Sequence, residues 1–206
     1  MYALVKDNTI QQIITNPKSI VIDDVRYPAK IFSLWSTSEL NAIGIYEVET
    51  NSTNFKDEKW YINTNESYAF ADNKVTRSWG TATAKAHADT LYTEQNKTDN
   101  LIPDGKDVGD VAVKGLKTQL IETLKKQVAD DLSKTDWYIT RNAEKSTAIP
   151  SAISTHRDAV RTKQAEMETA ITNASDTPAL ETLYTYTEQE DESVTRPLGE
   201  LPRLES

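Results

Sequence analysis

Val113, Leu116, Leu120, Leu124, Val128 and Leu132 recur at intervals of three and four residues. That spacing places all six along one side of an α-helix. A helix is therefore predicted over 112–132, with Ile121 widening its apolar stripe. A second stripe follows Pro150-Ser151, where Pro suits a first helical turn and Ser a cap. It consists of Ile153, Val160, Met167, Ile171 and Ala174. Two such stripes in one chain predict a helix pair that buries one against the other. Ile153, Val160, Met167 and Ala174 also fall at intervals of seven, the spacing at which helices of different subunits meet. Arg157 and Gln164, polar at the competing seam positions, weaken that second reading. A short helix is predicted over 136–144. A fourth, carrying Leu180 and Leu183, is predicted after the stop at Ser175-Asp176-Thr177-Pro178.

The first 80 residues have a different period. Runs rich in β-branched residues at 2–5 and 9–15 flank Asp7-Asn8, and runs at 19–22 and 25–27 flank Asp23-Asp24. Asp and Asn tolerate the left-handed backbone that tight hairpin turns demand, so two β-hairpins are predicted. Pro17 and Pro28 end them. Ser36-Thr37-Ser38-Glu39 is a capping box, and with Leu40, Ile43 and Gly44 it marks both ends of a two-turn helix. Alternation at 45–49, and runs at 60–62, 67–71 and 74–79 with Asp72-Asn73 at a turn, predict further strands.

The fold class expected is α+β: a small N-terminal β-rich domain followed by a C-terminal helical module. Residues 1–84 are assigned to the β-rich domain with one short helix, 85–110 to a linker, 111–186 to the helical module and 187–206 to an acidic extended tail. The Ala-rich stretch 82–92 reads as helical. Within the linker, 93–110 is polar and contains Pro103-Asp104-Gly105. The tail lacks periodicity and carries Pro197 and Pro202.

A formal net charge of −9 and a pI of about 4.8 argue against nucleic acid and against an anionic membrane surface, because both need clustered Lys and Arg. With no cysteine in 206 residues, disulfides and thiolate metal sites are excluded. No 18-residue apolar run exists, so no membrane insertion is expected. The N-terminus lacks the basic and apolar regions of a signal peptide, so the chain is expected to be made in a cytoplasm. The mean hydropathy of −0.60 predicts modest cores joined by polar segments.

No catalytic signature is present, and the chain is read as a non-enzyme without metal or cofactor. Gly105-Lys106 lacks the rest of a phosphate-binding loop. His87 and His156 have no companion ligands at metal-site spacing. His156, Arg157 and Asp158 are neighbours on a helix and point in different directions, so His156 reads as a surface position. Trp137, Arg141 and Glu144 stand at i, i+4 and i+7 on the short helix. There Arg141 is placed to stack on the indole while pairing with the carboxylate. The favoured expectation is a buried Trp137 that locks this helix onto its neighbours. The alternative is a docking face.

The pattern Leu132, Thr135-Asp136-Trp137, Pro150, His156-Arg157 and Val160-Arg161 resembles the C-terminal module of phage tail proteins of the tail-assembly or tail-fibre assembly chaperone type. His156 replaces the aromatic residue that precedes the first Arg in that pattern. Phe32-Ser33-Leu34-Trp35-Ser36, Glu39-Leu40, Ala42-Ile43-Gly44-Ile45 and Val75-Thr76-Arg77 resemble the N-terminal region of some phage tail and tail-fibre-associated proteins. The resemblance implies a structural or adaptor protein of a bacteriophage tail, helping to attach or assemble fibres or baseplate, or else a transient assembly chaperone. It implies other tail proteins as partners, several copies in a symmetric assembly, and residence in the virion tail. Trp137, Arg141, Glu144, Arg157 and Arg161 are then the candidates for partner binding or module packing.

Overall fold

The structure is a computed structural model describing residues 1–204. The chain divides into two compact units, Met1–Thr83 and Ala84–Ser206. Their secondary structure makes the protein α+β, with a β-rich N-terminal region and a helical C-terminal part.

In the first unit, β1 (Tyr2–Lys6) and β2 (Thr9–Ile14) form an antiparallel hairpin. Its turn residues Asp7 and Asn8 both have positive φ, 51° and 58°. Two consecutive left-handed residues match the right-handed twist of the flanking strands. The same device turns β3 (Ile20–Ile22) into β4 (Val25–Tyr27) at Asp23-Asp24. It also turns β7 (Ser67–Ala71) into β8 (Lys74–Ser78) at Asp72-Asn73. Between them lie α1 (Ile31–Leu34), α2 (Thr37–Ala42), β5 (Ile45–Thr50) and the short β6 (Tyr61–Ile62). Both reciprocal bonds of the Ser36–Glu39 capping box are made at the start of α2. Gly44 follows with φ 80°, and a Cβ there would lie 2.6 Å from the Val5 carbonyl oxygen. The sheet order is β2-β1-β5-β8-β7, antiparallel except for β5 beside β8.

Each face of this sheet carries an apolar cluster. Tyr2, Leu4, Ile14 and Ile45 pack with Ile31, Phe32 and Leu40 from the two helices. Ala3, Val5, Ile10, Ile13, Tyr46, Val48, Phe70 and Val75 form the other cluster. Alternate residues of β1 thus serve opposite sides, as the period of two requires. Ile10 and Ile13 share a cluster although three apart, because the register shifts between Leu4 and Val5. The bulge leaves Gln11 as the extra residue and restores the apolar set to one side.

The second unit opens at β9 (Thr83–Ala84), which straddles the division. Residues 85–110, expected as a linker with a helix over 82–92, are structured differently. β10 (Thr90–Leu91) pairs with β11 (Val111–Val113) and encloses α3 (Glu94–Thr98). The segment before β10 covers the N-terminus of α4 (Leu116–Ser133). Leu116 and Lys117 N–H donate to the Ala86 and His87 carbonyls, and the Gly115 N–H donates to Asp89 Oδ1 at 2.7 Å. Thr118 Oγ1 donates to the other Asp89 oxygen. These N–H groups have no partner inside the helix, so an external acceptor is required. Polarity in this stretch therefore reflects hydrogen bonding to a helix end rather than chain freedom.

α4, α5 (Asp136–Lys145), α6 (Ser151–Asn173) and α7 (Thr177–Tyr184) follow. α4 and α6 form the main helix–helix contact of the unit. They run antiparallel: Lys117 in the first turn of α4 donates from Nζ to the Thr172 carbonyl in the last turn of α6. Leu116, Leu124 and Val128 are buried on α4, and Ile153, Val160, Met167 and Ile171 on α6. Each such side chain contributes about 1.5–3 kcal/mol on burial. The predicted stripe on α6 thus packs within its own chain. Asp176 accepts from the Ala179 N–H to cap α7, and Pro178 occupies its first turn.

The described part of the C-terminal tail, expected as an extended arm, folds back. β12 (Thr187–Glu188) pairs with β13 (Val194–Thr195). Leu198 is buried, its N–H donating to the Leu183 carbonyl. The Arg196 guanidinium sits 5.3 and 5.2 Å from the Tyr184 and Tyr186 rings and pairs with Glu200.

Candidate functional site

The joint between α4 and α5 is where the predicted residues converge. α4 ends at Ser133, leaving carbonyls of its last turn without intrahelical donors. Arg157, in the second turn of α6, supplies donors. Its Nη1 donates to the Leu132 carbonyl at 2.7 Å and to Thr135 Oγ1 at 2.6 Å. Its Nη2 lies 2.9 Å from Asp136 Oδ1 at the start of α5. Thr135 Oγ1 in turn donates to the Leu132 carbonyl. Arg157 is 7% exposed and Thr135 3%. The flat guanidinium, with donors in a fixed fork, thus ties three helices at one point. Among the described residues its buried Nε has no hydrogen-bond partner.

A second link lies beside it. His156 Nε2 is 2.9 Å from Asp131 Oδ2, and Lys134 Nζ is 3.0 Å from Asp131 Oδ1. Burial pushes the Asp131 carboxyl up. The Lys134 and His156 hydrogen bonds and charges outweigh this and hold it below the usual carboxylate range. His156, expected at a surface, is 7% exposed. His156 and Arg157 do point differently, as helix geometry requires, but both reach the α4–α5 joint, whereas Asp158 is exposed and pairs with Arg161.

Trp137 is not buried. It is 51% exposed, and α5 has no buried residue. The lock expected of the indole is performed by Arg157, Thr135 and Asp136 instead. The Tyr138 ring lies 3.7 Å from the Trp137 ring, centre to centre, and Ile139 is 41% exposed. The Arg141 guanidinium lies 6.0 Å from the indole centre, at the outer limit of a cation–π contact. The expected Arg141–Glu144 pair is not formed; both side chains are exposed, and neither makes an ion pair among the described residues. Arg161 is exposed and pairs with Asp158 at 3.3 Å. The five candidates therefore separate: Arg157 is a buried clamp, Trp137, Arg141 and Glu144 lie on an exposed helix, and Arg161 is a surface residue of α6. Sequence reasoning missed Asp131. Its position one residue before Leu132, at the end of a long apolar stripe, gave no sign of a partner 25 residues away.

Among the described residues no group of His, Asp and Glu is arranged to hold a metal ion, and no helix is long and apolar enough to cross a membrane. The first unit has a cavity of about 450 Å³ bounded by Ile22, Tyr27, Ile43 and Gly44. Its Lys6–Asp23 pair is more than half exposed on both sides, so it supplies no buried polar group to orient a ligand. No family model, no curated protein and no solved structure matches the chain.

Proposed function

We propose that this chain is a structural or adaptor protein of a bacteriophage tail, helping to attach or assemble tail fibres or baseplate, with α5 as a docking face. The observation that carries the reading is the exposed Trp137 on a helix whose base is fixed by Arg157, Thr135 and Asp136. Thr135-Asp136-Trp137 and Arg157 are the residues by which the helical module resembles tail-assembly proteins. Two of them and the Arg form the joint, and the remaining one is presented on the surface. A large exposed aromatic ring near a guanidinium is the composition of interface hot spots. A rigid base lowers the ordering cost of docking. The partners are other tail proteins, several copies surround a symmetry axis, and the chain resides in the virion tail.

Mass spectrometry of purified particles tests the reading. Stoichiometric recovery of the chain is expected. Absence from particles whose assembly nevertheless requires the chain overturns residence and leaves a transient assembly chaperone. Absence together with normal particle assembly without the chain overturns both.

A further inference from the structure

The charges around the exposed ring of α5 have a complement elsewhere in the same unit. Arg141 and Lys145 of α5 make no ion pair among the described residues, and Trp137 and Ile139 lie exposed near them. The β12–β13 hairpin carries Glu188, Glu190, Asp191 and Glu192, with no Lys or Arg between Tyr186 and Thr195. Glu188, Glu190 and Glu192 are likewise without an ion-pair partner among the described residues, and Tyr186 and Val194 beside them are 52% and 63% exposed. The hairpin is a defined shape rather than a loose acidic run. Its turn closes through Gln189 N–H to the Ser193 carbonyl at 2.8 Å, with Glu192 at φ 64°. Gln189 Nε2 bonds Thr187 and Thr195 across the strands.

We propose that α5 of one copy docks against the acidic hairpin of a second copy of this chain, Trp137 packing beside Tyr186 and Val194 while Arg141 and Lys145 face the four acids. In a chain of net charge −9, two copies repel unless opposite local patches meet. On α5 the exposed cations Arg141 and Lys145 outnumber the exposed Glu144 beside them, and Asp136 is already paired with Arg157, so an acidic tip on this face is such a meeting. Because the two patches differ, the contact either repeats head-to-tail, closing into a ring or extending as a filament, or is made twice in a two-fold dimer. The inference rests on the reading of α5 as a docking face and adds the identity of its neighbour.

The test is sedimentation equilibrium of the purified full chain, with charge reversals on each patch. At low salt the weight-average mass should exceed the 23.1 kDa of one chain, and it should fall toward that value at about 0.5 M salt, where exposed charges are screened beyond a few ångströms. Trp137→Ala should weaken association at least about tenfold, as loss of a central aromatic contact does. Arg141→Glu with Lys145→Glu, and separately Glu190→Lys with Asp191→Lys and Glu192→Lys, should each give monomers. An equimolar mixture of these two variants should associate again, because each retains the surface the other needs. Recovery in the mixture also separates docking from misfolding. A wild-type chain that stays monomeric at low salt, or two variants that stay monomeric when mixed, overturns the proposal. Particle recovery of the chain is a separate readout, so failure here leaves the tail reading to its own test.

Discussion

Arg157 Nη1 lies 2.6 Å from Thr135 Oγ1, both side chains buried, although 22 residues and a helix separate them in the chain. The direction in which α5 leaves the bundle depends on this contact and on the Asp136 carboxylate beside it.

Arg157→Leu should therefore destabilise the second unit by about 1.5–3 kcal/mol, the range for hydrogen bonds to a charged group. A larger loss is not expected, because Asp136 is exposed enough for water to replace the guanidinium. Arg157→Lys should recover little, since a single ammonium cannot reach all three acceptors. Urea unfolding of the three proteins decides this. A change below about 0.5 kcal/mol for both variants places the direction of α5 elsewhere.

Trp137→Ala should change stability by less than about 1 kcal/mol, as surface substitutions do. Leu180→Ala, at a fully buried position, should cost about 2–5 kcal/mol. Thermal melts of both variants read the contrast directly. A cost for Trp137→Ala in the range of core aromatics would return the indole to the interior.

The Asp131 carboxyl titrates lower folded than unfolded, held down by Lys134 and His156. Its contribution is therefore complete above the unfolded value of about 3.9 and is lost as pH falls through the lower folded value. Asp131→Asn should reduce the stability lost on acidification below about pH 4 relative to wild type. Paired urea titrations at pH 6 and below about pH 4 measure it. Equal losses in both proteins would remove the Asp131 pairing as a source of acid sensitivity.

Gly115 has room for no side chain: a Cβ there would lie 2.3 Å from the Ala88 carbonyl carbon and oxygen. Gly115→Ala should displace the segment that caps α4 and cost about 1–3 kcal/mol, the usual penalty for overpacking. Asp89→Ala should cost about 1 kcal/mol, as for a lost cap. In hydrogen exchange, the amides of Gly115, Leu116 and Lys117 should lose protection in both variants. Unchanged protection would mean that 86–89 is dispensable to the helix end.

Local signals were legible where a residue and its partner lie within one turn or one period. The three Asp/Asn hairpin turns, the Ser36 capping box and the apolar stripes of α4 and α6 are of this kind, except that Val113, expected in the α4 stripe, lies exposed in β11, and they suffice for an α+β assignment. Trp137 was misread because a large aromatic ring near apolar stripes usually packs. The contacts at the base of its helix are made instead by Arg157, a residue whose burial depends on finding acceptors at a distant helix end. His156 and Asp131 were missed for the same reason. Residues 85–110 and the tail looked free because their polar side chains and backbone serve non-local partners, such as Asp89 on Gly115 and Arg196 between two tyrosines.

In the proposed function a fixed joint presents the Trp137 face of α5 to a neighbouring subunit in a phage tail. The most direct measurement of this is the amount of Trp137→Ala protein recovered in purified particles when that variant replaces the wild type. The variant should melt with the wild type yet be depleted from particles at least about tenfold, the scale of a lost interface hot spot. A stable variant recovered at the wild-type level would contradict it.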